Sequence, residues 1–524
     1  MAENFKESPD CHARPVCPES SSDRGPDTLP TLPRQIADSS AFVRLDRRSA
    51  PDAKIRLSRN VRNVDIAYEG GGRRVRRRSM SRSHILAFLC RAGFPLQRSR
   101  ATMNTSNTSQ SEIIDLPPLP ATLNPFPEYA KLAERGPVVR VRTPVGTEVY
   151  LITRWAEAIE VLSNPLIAKG SDHIQAALAA QGRSGPGAGT PIAGSQAGNL
   201  LNTDPPDHTR LRSLVMLAFT PRRLEQLRAT VEQLVDRLID QMREGPEADL
   251  IADFAYPIGI TTICTMLGVP EGDRSNFRQW AEWAMTPGHK EQDHCMELLR
   301  NYLATLIESK REVLADGAVP DEQPDLLSAM IAARNASNAL TIEELQSMSY
   351  LLLIAGHETT VGLIGNALLH LMLNPDQQRL LVEDPTLIKN TIEETLRYDG
   401  SVPYTTFRAT TADVKIGDTV IPGGSFVQVV LPALNRDPEK FEDPGIFDIR
   451  RKIKQHMAFG HGVHFCLGSH LARLEAQTAV GRLMQAFPNV ELSCDPADIP
   501  WLGTVIRGAR SLPVRINGQE YKES

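Results

Sequence analysis

The stretch FGHGVHFCLGSHLAR, residues 459–473, holds one cysteine, three glycines and three histidines. A helical pattern, SHLARLEAQTAVGRLMQAF, begins near its end, so the cysteine lies in a glycine-rich loop that runs straight into a helix. Gly460 and Gly462 permit tight turns and close approach to a flat ligand, and Gly468 lets the helix start against the cysteine. Backbone amides and the positive end of the helix favour the anionic form of Cys466. The loop therefore predicts a thiolate ligand to a metal.

The cysteine usage narrows the kind of metal site. The seven cysteines are scattered without a close pair such as C-x-x-C, which argues against a disulfide framework and a structural zinc site. Zinc and iron–sulfur sites need about four protein ligands, and Cys466 has no second ligand nearby in the sequence. We therefore expect a cofactor that brings its own four donors, which is haem.

Length and composition indicate a globular protein. At 524 residues and 41% hydrophobic content the chain can bury a sizeable core. No uninterrupted apolar run approaches the roughly 18 residues of a membrane-spanning helix, and the first residues lack the pattern of a secretory signal. These observations predict a cytoplasmic protein without a membrane partner.

Residues 1–110 differ in composition from the rest of the chain. Residues 1–102 carry 20 Lys and Arg against 11 Asp and Glu, a net charge of +9, so the remainder carries −14 of the total of −5. The run RRVRRR and the lack of a sustained apolar period predict a basic, disordered extension over residues 1–110, followed by a single domain over residues 111–524. The alternatives are a twin-arginine export signal, a nucleic-acid-binding arm, or a natural start at Met103. A short apolar follow-up and the absence of interleaved aromatics speak against the first two.

Helical periodicity dominates the predicted domain up to about residue 395. Residues 138–153 alternate around Thr143 to Gly146, which predicts a β-hairpin, and residues 412–431 form a second strand-rich patch. The glycine-rich residues 181–199 predict a functional or disordered loop. The sequence predicts a mainly α fold with small β-sheets, of the α+β class.

A long helix is predicted over residues 341–373, with a capping box formed by Thr341 and Glu344. Its middle reads AGHETT, residues 355–360, and so places an acid and two hydroxyls inside an apolar helix. Burial of a carboxylate costs several kcal/mol unless the group is hydrated or paired, which favours a functional role. A threonine can also hydrogen-bond back to the helix backbone and open a groove for water.

The cysteine loop resembles a known family. The pattern Phe459-Gly460-x-Gly462-x-His464-x-Cys466-x-Gly468 resembles the haem-binding signature of cytochrome P450 enzymes at every fixed position. The resemblance covers about residues 115–515 and implies that haem b lies between the long helix and the helix after the cysteine loop. It also implies that Cys466 is the axial thiolate, Phe459 shields the sulfur and His464 approaches a haem propionate.

The long helix is similar to the same family. The residues Ala355, Gly356, Glu358 and Thr359 match its A-G-x-D/E-T motif, in which the acid and the threonine deliver protons to iron-bound oxygen. The resemblance implies these catalytic roles for Glu358 and Thr359. We expect Gly356 to let the planar cofactor and O₂ approach.

Two further sets of residues resemble the family. Glu394 and Arg397 match its E-x-x-R motif, although the family's third, basic partner aligns with Ile446 here, and Arg450 or Arg451 is a possible substitute. The expected propionate ligands are His208, Arg212 and Arg408.

The resemblance implies a monooxygenase that inserts one oxygen atom of O₂ into a hydrophobic small molecule, with a polyketide-like secondary metabolite ranked first. No nucleotide-binding fingerprint or cysteine cluster is visible, so the expected partners are a ferredoxin or flavodoxin and its NAD(P)H reductase. Arg473 and the basic residues 450–454 are predicted to receive the donor on the cysteine side. The alternatives are a haem-thiolate peroxygenase that uses H₂O₂, and a non-catalytic haem sensor or carrier.

Overall fold

The computed structural model describes residues 113–116, 122–183, 198–286, 289–315, 317–335, 338–502 and 505–516, together with three short strands nearer the N-terminus. The chain divides into two units, residues 1–108 and residues 109–524. Within the first unit β1 (Ala41–Leu45), β2 (Val64–Tyr68) and β3 (Ser79–Met80) form a three-stranded sheet. The rest of the predicted disordered extension lies outside the described residues.

Small sheets account for the remaining strands. They are β4 (Ile114–Asp115), β5 (Val138–Arg142), β6 (Glu148–Ile152), β7 (Ile167–Ala168), β8 (Glu247–Asp249), β9 (Arg334–Asn335), β10 (Asn338–Ala339), β11 (Arg408–Thr410), β12 (Val414–Ile416), β13 (Thr419–Ile421), β14 (Phe426–Val429), β15 (Glu491–Leu492) and β16 (Pro513–Arg515). The largest sheet has six strands in the order β4-β5-β6-β14-β11-β7. The other sheets described in this unit have two or three strands, so the sheets stay small beside the helices.

Helices make up most of the second unit. They are α1 (Phe126–Glu134), α2 (Trp155–Ser163), α3 (Ser171–Ala180), α4 (Asp207–Ala218), α5 (Pro221–Met242), α6 (Tyr256–Leu267), α7 (Arg274–Met285), α8 (Gln292–Val313), α9 (Leu326–Ala332), α10 (Ile342–Gly356), α11 (Glu358–Leu373), α12 (Pro375–Glu383), α13 (Ile388–Asp399), α14 (Leu431–Asn435) and α15 (Ser469–Ala486). A π-helical segment, Leu250–Ala255, leads into α6. The prediction of a mainly helical fold with small sheets is confirmed.

The helices bury two large apolar clusters. One cluster joins α5, α11, α13 and α15, and the other joins α4, α6, α8, α9 and α10. Two helical segments, Leu250–Leu267 and Ile342–Leu373, are long and apolar enough to cross a membrane, yet 72% and 67% of their apolar windows are buried in the protein. Because burial of this extent is typical of core helices, their length is weak evidence for a membrane span.

Local sequence signals place several elements correctly. The predicted hairpin is the antiparallel pair β5–β6, closed by a turn in which Gly146 donates to the Thr143 carbonyl at 2.7 Å. The predicted strand patch supplies β12, β13 and β14. Of the predicted glycine-rich loop, residues 184–197 lie outside the described residues.

The single helix predicted over residues 341–373 is wrong in one respect. The capping box of Thr341 and Glu344 is present, but the helix breaks at His357, which separates α10 from α11. The His357 backbone has φ −94° and ψ −52°, while its carbonyl accepts bonds from the amides of both Thr360 and Val361. The break matters because it falls inside the AGHETT motif.

A buried ion pair braces the segment before the cysteine loop. Glu394 and Arg397 on α13 are 0% and 1% exposed, and two hydrogen bonds of 2.7 Å join them. Arg397 also donates to the backbone carbonyls of Asn435, Pro444 and Ile446. A buried charge needs an opposite charge and hydrogen-bond partners of this kind, because a buried unpaired charge is strongly destabilising.

Arg451 supplies the third, basic partner that Ile446 does not. Its Nε lies 3.2 Å from Glu394 Oε1, and its other nitrogens donate to the carbonyls of Glu442, Asp443 and Ile446. Arg450 instead lies 3.6 Å from Asp448 with a largely exposed side chain. Of the two substitutes that the sequence left open, the structure selects Arg451.

Replacing Arg451 by Met should lower the free energy of unfolding by about 2 kcal/mol, because Glu394 loses a charged hydrogen-bond partner. The matched control Arg450→Met should change it by less than about 0.5 kcal/mol, since its side chain is at the surface. Urea unfolding of both variants, followed by circular dichroism, measures the difference. Equal unfolding midpoints for the two variants would contradict a bracing role for Arg451.

Candidate active site

The cysteine loop forms a tight turn ahead of α15. The Cys466 amide donates to the Phe459 carbonyl at 3.0 Å, and the Phe465 amide donates to the Gly462 carbonyl at 3.0 Å. Gly460 and Gly462 have φ of +72° and +75°, a region that favours glycine. These bonds fix the backbone of the turn that leads into Cys466.

The structure gives each of the three glycines a backbone reason. A Cβ on Gly462 would lie 2.6 Å from the Leu162 carbonyl oxygen, so glycine there allows a close approach to the backbone of α2, and the expected approach of a flat ligand stays a prediction. A Cβ on Gly460 would meet no atom within 4 Å, and its need for glycine comes from the turn. Gly468 is the N-cap residue of α15, as expected for a helix that starts beside the cysteine.

Cys466 is accessible, yet protein atoms surround it closely enough to affect its ionisation. Burial raises the pKa of the Cys466 thiol above its ordinary value, whereas a backbone hydrogen bond from Gly468 and the charges of Arg212 and Arg473 act to lower it. No group of three or more potential metal ligands occurs among the described residues. A metal at Cys466 would therefore have to arrive with other donors.

An ion-pair network lies behind the loop. Arg473 donates to Glu393 at 2.5 and 2.9 Å, and its guanidinium lies 4.5 Å from the centre of the Phe459 ring. His456 approaches the same carboxylate at 3.0 Å. Burial acts to raise the pKa of Glu393, but Arg473 and His456 lower this pKa to about 2. Arg473 is thus neutralised within the fold.

The expected propionate ligands come together above the cysteine loop. The rings of His208 and His464 lie 4.3 Å apart, and the His464 ring also contacts the Leu200 carbonyl at 3.2 Å. Arg212 donates to the Val463 carbonyl at 3.3 Å. Arg408 enters from β11 and is 6% exposed. The four side chains come from three separate parts of the chain: α4 supplies two of them, and the cysteine loop and β11 supply one each.

This cluster holds buried polar atoms without partners. His208 Nε2 and Arg408 Nε make no hydrogen bond within the described structure. Burial lowers the pKa of Arg408 to about 10, and burial together with the charges of Lys169, Arg408 and His208 lowers the pKa of His464 to about 2. Buried donors and cations of this kind call for an anionic ligand, and the two carboxylates of haem fit that need.

The AGHETT motif lies at the break between α10 and α11. Thr359 Oγ1 donates to the Ala355 carbonyl at 2.8 Å, and Thr360 Oγ1 donates to the Gly356 carbonyl at 3.0 Å. The expected bond from Thr359 back to the backbone is therefore present. Ala355 is exposed.

Glu358 has a partner that the sequence did not suggest. Its carboxylate lies 3.2 Å from Nε2 of the fully buried His357, an ion-pair contact whose angle falls short of a hydrogen bond. Burial acts to raise the pKa of Glu358, but His357 lowers it below the ordinary value. Burial acts to lower the pKa of His357, but Glu358 raises it. The pair can hold one proton at the helix break.

Gly356 has a packing reason beyond the predicted one. A Cβ there would lie 2.5 Å from Cδ1 of Ile263, so glycine allows α10 to pack closely on α6. The expected approach of a cofactor and O₂ at Gly356 stays a prediction.

Sequence reasoning missed Glu475, a buried carboxyl on α15. It is 2% exposed and interacts with the hydroxyls of Thr262 and Thr360, on α6 and α11. Burial raises its pKa to about 8, against the opposite effect of the two hydroxyls. Its position nine residues after Cys466 gave no signal, because the helical pattern of α15 is compatible with a solvated glutamate.

Comparisons with known proteins identify the family. The sequence model of the Cytochrome P450 family matches residues 260–501. Cytochrome P450 107B1 of Saccharopolyspora erythraea is 45% identical over 392 residues, which span 74% of this chain and 94% of that protein. The 6-deoxyerythronolide B hydroxylase of the same organism is 36% identical over 395 residues, 74% of this chain and 95% of the relative.

A solved structure, that of the tirandamycin C-bound P450 monooxygenase TamI, superposes with a TM-score of 0.69 at 40% identity. The match covers 77% of this chain and 100% of TamI. The fold and the cysteine loop thus define a thiolate-ligated haem protein of the monooxygenase class. The chain belongs to the cytochrome P450 family and is a bacterial-type P450 monooxygenase.

Glu475 gives a testable pH dependence. Its pKa of about 8 in the fold exceeds the ordinary value of 4.5, so the folded protein keeps a proton that the unfolded chain releases. Stability should therefore fall as pH rises from about 4.5 to 8, by at most about 1.4 kcal/mol per pH unit. Glu475→Gln should remove this slope, whereas the surface control Glu297→Gln should keep it. Urea midpoints at several pH values measure the slope, and a Glu475→Gln slope equal to that of the wild type would sink the prediction.

Proposed function

We propose that the chain binds haem b through Cys466 and inserts one oxygen atom of O₂ into a C–H or C=C bond of a hydrophobic small molecule. The supporting observation is the combination of an accessible thiol with a nearby cluster in which the buried cation Arg408 and the buried ring of His208 each keep a nitrogen without a partner in the described structure. The thiol would hold the haem iron, and the buried donors would hold the haem carboxylates.

Each part of the loop has a role in this proposal. Cys466 is the iron ligand, and the Gly468 amide favours its anionic form. Phe459 lies against Arg473 and keeps water from the sulfur. His208, Arg212, Arg408 and His464 hold the propionates, while Gly460 shapes the turn and Gly468 begins the helix.

The bound haem supplies O₂ activation, and the residues at the helix break supply protons. Glu358 lies 3.2 Å from His357 Nε2, so a small side-chain movement would let the two exchange a proton, and the Thr359 hydroxyl lies one residue further along α11. The hydroxyl can pass a proton on while its oxygen stays anchored near the Ala355 carbonyl. Ala355, which is exposed and precedes Thr359 by one helical turn, keeps this face of the helix free of a bulky side chain.

The proposed substrate is a polyketide-like secondary metabolite. The hydroxylase relative is named for 6-deoxyerythronolide B, and the TamI structure contains tirandamycin C. The glycine-rich loop that first suggested such a substrate lies mainly outside the described residues.

Tirandamycin C should shift the Soret band of the ferric protein more than a linear fatty acid such as myristic acid does. The reverse order would contradict this substrate class.

A ferredoxin or flavodoxin with its NAD(P)H reductase is the proposed electron source, and the cysteine side is the proposed docking face. Arg451 and Arg473 are engaged in ion pairs, so they do not provide the free positive charge expected of them. Lys452 and Lys454 are exposed, as are Val463 and Phe465 in the cysteine loop. A mixed basic and apolar face suits an acidic partner.

We also place the enzyme in the cytoplasm, because its long apolar helices are largely used in the core.

Carbon monoxide tests the thiolate ligand. The reduced protein with carbon monoxide should show a strongly red-shifted Soret band, because a thiolate donates electron density to iron. Cys466→Ser should lose this shift, whereas Cys494→Ser should keep it. A wild-type protein that binds haem without the shift, or a Cys466→Ser variant that retains it, would refute the proposal.

Thr359→Ala tests proton delivery. With NADPH, a bacterial ferredoxin and its reductase, the variant should bind haem and consume NADPH but release H₂O₂. Its product formation should be about a hundredfold slower, at the lower end of the contribution of a positioned proton donor. The control Thr265→Ala removes a similar hydroxyl-to-carbonyl bond on α6, to Thr261 at 2.9 Å, and should stay coupled.

Product yield and NADPH consumption together separate the monooxygenase from a peroxygenase and from a haem sensor or carrier. Normal coupling in Thr359→Ala would count against the proton-delivery role. Full activity with H₂O₂ alone would favour a peroxygenase, and no substrate-dependent NADPH use in the wild type would favour a sensor or carrier.

A further inference from the structure

Strand pairing puts two buried cations face to face. In the antiparallel pair β7–β11, Ala168 lies opposite Ala409, and Ile167 lies opposite Thr410. Continuing this register by one residue places Lys169 opposite Arg408. Side chains at opposed positions have Cβ atoms about 5 Å apart, and like charges there are destabilising.

Burial makes this arrangement more costly. Lys169 is 4% exposed and Arg408 is 6% exposed. Within the described part of the chain, Arg408 Nε has no hydrogen-bond partner, and the hydrogen bonds described for Lys169 are those of its backbone amide. A buried unpaired charge is unfavourable, and two such charges on neighbouring strands are more so.

The nearest acid does not neutralise the pair. Asp204 accepts bonds from the backbone amides of Lys169, at 2.9 and 3.0 Å, and of Gly170, at 2.6 Å. Its carboxylate is thus committed to fixing the chain at the end of β7. Burial and the charge of Arg408 lower the pKa of Lys169 well below its ordinary value. Asp204 acts in the opposite direction but does not compensate.

Lys169 also belongs to the cluster of expected propionate ligands. Its charge is among the causes that lower the pKa of His208, after burial and the charge of Arg212, and the His208 ring lies 4.3 Å from the His464 ring. Lys169, Arg408 and the two histidines therefore lie within electrostatic range of one another. A shared anion among them would relieve the repulsion and supply the missing acceptors.

We propose that Lys169 is a further haem-binding residue, whose ammonium pairs with a propionate between itself and Arg408. This inference rests on haem as the cofactor in the proposed function. The backbone clamp by Asp204 fixes Lys169 beside the site before the cofactor binds. Lys169 thus adds a buried positive charge to the four ligands that the family pattern suggests.

Haem release from the ferric holoprotein tests the inference. Lys169→Met removes the charge and shortens the unbranched side chain by one heavy atom. Transfer of haem to excess apomyoglobin should be roughly tenfold faster or more, as expected for the loss of one charged hydrogen bond. The reduction potential should also become more negative, because a positive charge near the haem favours the ferrous state.

Matched variants distinguish binding from packing. Lys169→Arg should release haem at nearly the wild-type rate, Lys169→Gln should resemble Lys169→Met, and Lys415→Met, at an exposed lysine on β12, should resemble the wild type. Wild-type release rates in both Lys169→Met and Lys169→Gln would overturn the inference. If Lys169→Met fails to fold, the Gln and Arg pair decides. A wild-type protein without a Soret band would instead overturn the proposed function.

Discussion

The buried pair of Glu394 and Arg397 holds the frame on which the cysteine loop depends. Arg397 fixes the Asn435 carbonyl, and the Asn435 side chain in turn accepts the Met457 amide at 2.7 Å. Met457 then accepts the Gly460 amide at 2.9 Å, at the start of the loop. A short chain of hydrogen bonds therefore runs from α13 to the turn that presents the sulfur. Loss of one partner of such a pair is strongly destabilising, about 3–5 kcal/mol in typical cases.

The polar residues around the loop form two groups. The members of one group are ion-paired with one another, and members of the other group keep buried nitrogens without hydrogen-bond partners. On one side Glu393 is shared by Arg473 and His456, and Glu394 is shared by Arg397 and Arg451. Those charged side chains are paired with one another and belong to the fold. On the other side Arg408 and His208 keep buried nitrogens without partners. Since folds rarely leave buried donors unpaired, the second group is the better indicator of a ligand.

Local patterns made much of the fold predictable. The period-two pattern around Thr143 gave the hairpin, and the capping box at Thr341 gave the start of α10, because both depend on residues close in sequence. The cysteine loop was recognised for the same reason, since its glycines, histidine and thiol lie within ten positions. Their joint geometry is set by short-range backbone bonds.

Features that depend on distant partners could not be read from the sequence. The helix break at His357 is accompanied by hydrogen bonds from the Thr359 and Thr360 side chains to the backbone. The spacing of apolar residues in the sequence does not reveal this break. The tight contact of Gly356 with Ile263 joins residues 93 positions apart. Lys169 and Glu475 are ordinary residues in their local patterns, and they become unusual only when the fold buries them. The pairing of strands and helices supplies that information.

The position of Arg451 bears on how divergent relatives should be compared. The Ile446 side chain is 56% exposed, and the backbone carbonyl of this residue still accepts from both Arg397 and Arg451. An alignment column at 446 would record a missing basic residue, although a guanidinium occupies the space beside Glu394. Occupancy of that space, and not the identity of one column, is the property that such comparisons should follow.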